Sequence, residues 1–278
     1  MFGKFFQYEF KTVSKFGVPL LIAEALLGLF IDFSIALVLL PLVKQMPEQM
    51  QMIMGITGPI FLILSILAIA AISVVALVLL LKRYYDSTMT AEGYLTFTLP
   101  VKQSDIFLAK LLNAWIWSLF FGLIVIIDLV GAVLTITFVG EINIQEWGKF
   151  FADLIAELDS SGILSLFSSW QWISIIVCAV LIVIVMTPTS LMIWFSVITF
   201  VSVLVKKNRI IIMIVVVYGL SFLSSILMSV WQTICMVSND YVMMIMLSEW
   251  LYLVGCIALL VGGYFLNRHL LTNKLNLE

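Results

Sequence analysis

Six stretches of this chain stay almost wholly apolar for more than twenty residues: 18–42, 54–81, 109–139, 171–205, 209–237 and 244–266. A helix needs about 20 mostly apolar residues to cross a bilayer, so each run is long enough to do so. Barrel strands would alternate with a period of two, which these unbroken runs do not. Composition closes the other routes: apolar residues make up 63% of the chain and charged residues 11%, with a mean hydropathy of +1.21. No soluble core of this size hides that much apolar surface, and a disordered chain has far less of it. Lys and Arg number 14 against 16 Asp and Glu, which leaves no basic field for nucleic acid. The expected fold class is an all-α polytopic membrane protein with six transmembrane helices, residues 1–278 forming a single transmembrane domain.

The fourth run contains Pro188 and reads either as one long kinked helix or as two half-spans. Charge parity favours one helix. Residues 141–159 are acidic, Lys206, Lys207 and Arg209 follow the run, and an odd number of crossings separates the two. Twelve of the fourteen Lys and Arg residues fall in the N-terminal segment, the second and fourth loops and the tail, leaving Lys44 and Lys149 on the other side. By the positive-inside rule both termini are cytoplasmic. The first run is too long for a cleavable signal peptide and lacks its cleavage pattern. Cys178, Cys235 and Cys256 all lie within spans, so no disulfide framework is expected.

Three segments are not simple spans. Residues 1–17 read as an amphipathic surface helix. Phe2, Phe5, Phe6, Phe10, Val13 and Phe16 share a broad face opposite Lys4, Lys11 and Lys15. Glu9 breaks that pattern, either snorkelling from a bent helix or meeting a partner subunit. Within an outer segment, 140–169, residues 146–158 form a second amphipathic stripe of Trp147, Phe150, Phe151, Leu154, Ile155 and Leu158. That stripe suits an interfacial connector or a gate over an exit path. The segment 84–105 mixes aromatics, hydroxyls and charges between Gly93 and Pro100, and Ser104 is placed to cap the next helix. With Tyr94 and Phe97 it reads equally as a docking element or a plain connector.

The titratable chemistry is sparse. The lone histidine, His269, lies in the tail beside Arg268, which leaves no intramembrane zinc site. Ser and Cys nucleophiles have no base within the sequence pattern, so an enzyme is not expected. Glu24 and Asp32 in the first span and Asp128 in the third are the intramembrane acids. Glu24 and Asp32 are separated by about 80° around a helix. The acids are either structural groups, protonated or hydrogen-bonded, or a cargo-path lining, or a proton relay. A relay or a channel belongs to the rival class of secondary transporters and channels, but no Lys, Arg or His lies deep in any span. A Walker A loop is absent: the Gly-Lys pairs are Gly3-Lys4 and Gly148-Lys149, each followed by Phe. Any nucleotide energy must therefore come from another chain.

Residues 92–101, Glu-Gly-Tyr-Leu-Thr-Phe-Thr-Leu-Pro-Val, followed by Leu108-Ala109-Lys110-Leu111-Leu112, resemble the first cytoplasmic loop of the ATP-binding-cassette type-2 exporter permeases of Gram-positive bacteria. Tyr8-Glu9-Phe10-Lys11 is similar to their segment before the first span. The resemblance implies a pump of two permease and two ATPase subunits in the bacterial plasma membrane, with ATP and Mg on the ATPase and no cofactor on this chain. The second permease subunit would be an identical or a different chain. The loop, with Glu92, Gly93, Tyr94, Phe97 and Pro100, would be the coupling helix seated in the ATPase, and 1–17 with Glu9 the connecting helix. Family cargoes include peptides, lipids, polysaccharides and drugs. A non-transporting immunity or sensor subunit of the same fold is the third class of function.

Overall fold

A computed structural model describes residues 2–43, 47–98, 101–140, 148–149, 152–153, 156–157, 169–205, 208–237 and 241–273. It contains α1 (Phe2–Val43), α2 (Glu48–Met89), α3 (Ala91–Phe97), α4 (Gln103–Val139), α5 (Ser169–Leu204), α6 (Arg209–Val237) and α7 (Tyr241–Asn273). Among the described residues, all of these helices but the seven-residue α3 are long and apolar enough to cross a membrane, six in all. Each of the six covers one of the apolar runs, α5 ending one residue short of 205.

Several helices outrun their apolar cores. At about 1.5 Å per residue, the 42 residues of α1 extend roughly twice the thickness of the hydrocarbon layer. Residues 2–17 are continuous with the first apolar run, because α1 passes through Gly17 and Pro19 without a break. The physical reason is burial. Phe5, Glu9 and Val13, one turn apart, are all buried within the protein. Phe6, Phe10 and Phe16 are half-buried, which leaves Phe2 as the exposed member of the expected apolar face. The segment 84–105 is likewise more helical than a loop. Residues 84–89 complete α2, α3 follows, and α4 starts at Gln103. The Lys102 carbonyl accepts from the amides of Asp105 (2.9 Å) and Ile106 (3.1 Å), so Lys102 holds the capping position and Ser104 lies inside the first turn.

The fourth run is one helix, α5, with Pro188 inside it. Buried hydroxyls within the helices bond back to the carbonyl one turn earlier, as Ser34 does to Phe30 and Ser65 to Phe61. This is how polar side chains are satisfied where water is absent. The expected outer stripe falls mostly outside the described residues. Gly148, Lys149, Ala152, Asp153, Ala156 and Glu157 are helical and exposed, while Trp147, Phe150, Phe151, Leu154, Ile155 and Leu158 lie outside them. Cys178 and Cys256 are buried free thiols; the side chain of Cys235 is outside the described set.

The chain gathers into two compact units, each built from separated segments: Met1–Glu9, Leu81–Trp115 and Ile163–Glu278 form one, Phe10–Leu80 and Ile116–Gly162 the other. In the second unit α1 runs antiparallel to α2: Val13 clusters with Leu80, Glu24 meets Ser73, and Val38 fills the notch at Gly58. It runs parallel to α4: Gly17 faces Trp117, Gly28 faces Asp128, and Asp32 faces Gly131. In the first unit α5 and α7 are parallel, with Ser174 bonded to Trp250, Thr189 to Cys256 and Ser196 to Asn267. These directions are those of helices that cross alternately.

Candidate coupling site

The end of α2, all of α3 and the start of α4 lie beyond the apolar runs, and there the first unit concentrates its charge. Glu9 is 2% exposed. Its Oε1 accepts from Lys110 Nζ at 2.9 Å and its Oε2 from Arg83 Nε at 3.3 Å. Arg83 also reaches forward, donating from Nη1 to Glu92 Oε1 at 2.7 Å. Lys110, itself buried, donates to Ser87 Oγ as well, and lies 5.7 Å from the centre of the Phe5 ring. Two acids meet two bases, so the charge of the network is balanced, and the buried Glu9 and Lys110 are paired with each other, the condition under which such groups are tolerated. Arg83 suits the bridging place because its planar fork can hold two carboxylates at once.

The local sequence folds α3 back against α2. Thr90 breaks the helix in extended geometry (φ −114°, ψ −173°), and its hydroxyl donates to the Asp86 carbonyl. The Gly93 amide donates to the Thr90 carbonyl at 2.8 Å. Here glycine is required by contact: a Cβ at position 93 would lie 2.5 Å from the Thr88 carbonyl oxygen and 2.7 Å from its carbon. The Thr98 amide closes α3 by donating to the Tyr94 carbonyl at 3.2 Å. Phe5, Ile106 and Ala109 form the apolar floor beside the ion pairs, with Phe6 and Val101 against them. What α3 presents outward is Tyr94, 61% exposed, with the Glu92 side chain 43% exposed beside it.

Gly93→Ala tests this fold-back. Backbone, not a flexible side chain, opposes the new methyl, so α3 must move, at a cost of about 1–3 kcal/mol. Limited proteolysis should cut the variant within 90–98 faster than wild type. Equal cutting rates would show that α3 does not lie against Thr88.

The structure thus unites Glu9, Glu92, Gly93 and Tyr94 of the expected coupling residues. The Phe97 side chain and all of Pro100 are outside the described residues. Arg83, Ser87 and Lys110 were not singled out from sequence. Their signal was that Glu9, an acid among phenylalanines, needs a base, and that Arg83 and Ser87 stand one helical turn apart.

The second unit holds Glu24, Asp32 and Asp128 around α1: Asp32 and Asp128 on its seam with α4, and Glu24 toward α2. Glu24 is fully buried, with Ser73 Oγ 3.5 Å from its Oε1. Asp128 lies flush on α1 at Gly28, where a Cβ would stand 2.0 Å from its Oδ1. Asp32 lies reciprocally on α4, 2.9 Å from the Cβ position of Gly131. One oxygen of each acid has no hydrogen-bond partner among the described residues. Each acid thus meets a glycine or a hydroxyl side chain across the helix contact, an arrangement that holds helices close.

No family model matches this chain, and no curated protein or solved structure matches it.

Proposed function

We propose that this chain is the transmembrane permease subunit of an ATP-driven exporter, with α3 as the helix that receives force from a separate ATPase subunit. One observation carries the reading: a short helix is tied by an ion pair to the end of α2, within a charge network that also joins α1 and α4, and still offers an exposed aromatic. A connector has no need of such rigidity. A contact that transmits force requires it, and exposed Tyr with a flanking charge is typical of an interface anchor. The absence of a Walker A sequence and the resemblance of residues 92–101 to type-2 exporter permeases support the same reading. Glu9 acts within it by positioning α3 through Arg83, not by touching the partner.

In this reading both termini and α3 are cytoplasmic, the membrane is the bacterial plasma membrane, and a second permease subunit completes the pump. The cargo is a peptide or another amphipathic molecule. ATP and Mg belong to the partner. The test is to purify the tagged chain from its native membranes and measure ATP hydrolysis. A P-loop ATPase should accompany it, and its turnover should respond to the permease. Purified chain that carries no nucleotide hydrolysis would contradict the proposal.

Orientation has its own test. In a cysteine-free background, Lys149→Cys should react with an impermeant maleimide in intact cells, and Lys102→Cys only after permeabilisation. Reaction of both from the same side would break the orientation.

A further inference from the structure

A clamped α3 moves nothing unless the helix ends that hold it are joined to other spans. In the first unit that joint is visible one turn before Ser87. The Tyr84 ring stacks on the Phe195 ring of α5, with centroids 3.9 Å apart and planes 5° from parallel. Phe107 of α4 meets both rings edge-on, at 6.2 Å from Tyr84 and 6.4 Å from Phe195. All three rings are almost fully buried, and Thr199 is wholly so.

The Tyr84 hydroxyl and Thr199 Oγ1 are 2.8 Å apart. Distance alone does not say which donates. Thr199, however, has one hydroxyl proton, and it is directed at the Phe195 carbonyl, 2.9 Å away. The Tyr84 O–H must therefore donate to Thr199, whose own O–H donates to Phe195. Tyr84 grips α5 twice at one residue, through the ring of Phe195 and, by way of Thr199, through its carbonyl. Apolar packing alone would be served by phenylalanine, since a buried hydroxyl adds a polar group that must be satisfied. From there α5 is geared to α7. Met192 occupies the notch at Gly263, where a Cβ would stand 2.5 Å from Met192 Cγ. One turn on, Asn267 Nδ2 donates to Ser196 Oγ at 2.7 Å.

We propose that the Tyr84–Thr199–Phe195 contact is the joint through which a displacement of α3 reaches α5 and, through α5, α7. Tyr84 and Thr199 are positioning residues of the transport cycle. The inference rests on the exporter reading and adds to it the route by which force enters the spans.

The experiment uses the full chain with its co-purified ATPase in lipid nanodiscs. An environment-sensitive fluorophore is placed at Val183→Cys on the exposed face of α5, in a cysteine-free background. ATP should change its emission in the wild-type complex. Thr199→Val keeps the shape and removes the hydroxyl, and Tyr84→Phe keeps the stack and removes the donor. Each should cut the ATP-dependent change about fivefold, the weight of one lost hydrogen bond, with ATPase binding and turnover retained. Thr199→Ser, which keeps the hydroxyl, should restore the response. Wild-type responses in Thr199→Val and Tyr84→Phe would overturn the joint, as would equal loss in Thr199→Ser. A wild-type complex that hydrolyses ATP with no change at Val183→Cys would overturn the joint and leave the exporter reading standing. A chain that carries no ATPase would end both.

Discussion

Glu9→Gln should destabilise the folded chain by about 3–5 kcal/mol, the cost of removing one partner from a buried ion pair. The amide keeps the shape of the side chain and removes its charge. Lys110 is then left buried beside Ser87 with a second cation, Arg83, close by. The loss has two parts, the missing attraction and the uncompensated charge that remains. They separate in a double variant. Glu9→Gln combined with Lys110→Met removes both partners, and a neutral pair of similar size is far less costly than half an ion pair. Unfolding in a detergent titration should therefore place the double variant closer to wild type than Glu9→Gln alone. A Glu9→Gln single variant as stable as wild type would mean that Glu9 does not hold two cations. The predicted damage is local in origin, since Arg83 links the same carboxylate to Glu92, and α3 should loosen with it.

Tyr94→Ala should have the opposite profile: unchanged stability and a lost partner. The ring is exposed and fills no core, so its removal opens no cavity. At the centre of a partner's groove, truncating such an aromatic costs on the order of 2–4 kcal/mol. That corresponds to a Kd roughly 30- to 900-fold weaker. Co-purification of the ATPase at micromolar concentrations should then fail, with insertion and unfolding as in wild type. Glu92→Arg should act in both ways, repelling Arg83 within the chain and altering the charge offered beside Tyr94. If ATPase recovery is the same for wild type and Tyr94→Ala, α3 is not the docking helix.

The six helices long and apolar enough to cross a membrane were legible because hydropathy is local. Each run declares itself within about twenty residues, and a single proline at 188 inside 36 helical residues did not end the fourth. The ends of the helices were not legible in the same way. Residues 2–17 and 82–89 carry charges, so their apolar signal fades, yet nothing in them halts a helix. It is burial of Phe5, Glu9 and Val13 that extends α1 to Phe2. Segment 84–105 was recognisable as unusual from its residue types. The clamp that holds it was not, because Glu9, Arg83, Glu92 and Lys110 are brought together from four separate places in the chain.

The acids illustrate the same limit. Periodicity put Glu24 and Asp32 loosely on one side of a helix, but the register of α1 against α4 decides that Asp32 meets Gly131 and Asp128 meets Gly28. An acid on each helix, with a glycine one turn away on both, was the available signal. It does not distinguish a helix seam from a cargo wall until the partner helix is in place.

A photocrosslink from position 94 decides whether α3 touches an ATPase. A benzophenone amino acid is installed in place of Tyr94 in native membranes, with the same probe at Tyr218 of α6, also highly exposed, as the comparison. Position 94 should crosslink to a P-loop ATPase subunit, and position 218 should give no crosslink to that subunit. A probe at 94 that captures no ATPase, or captures it no more than the probe at 218 does, would contradict that contact.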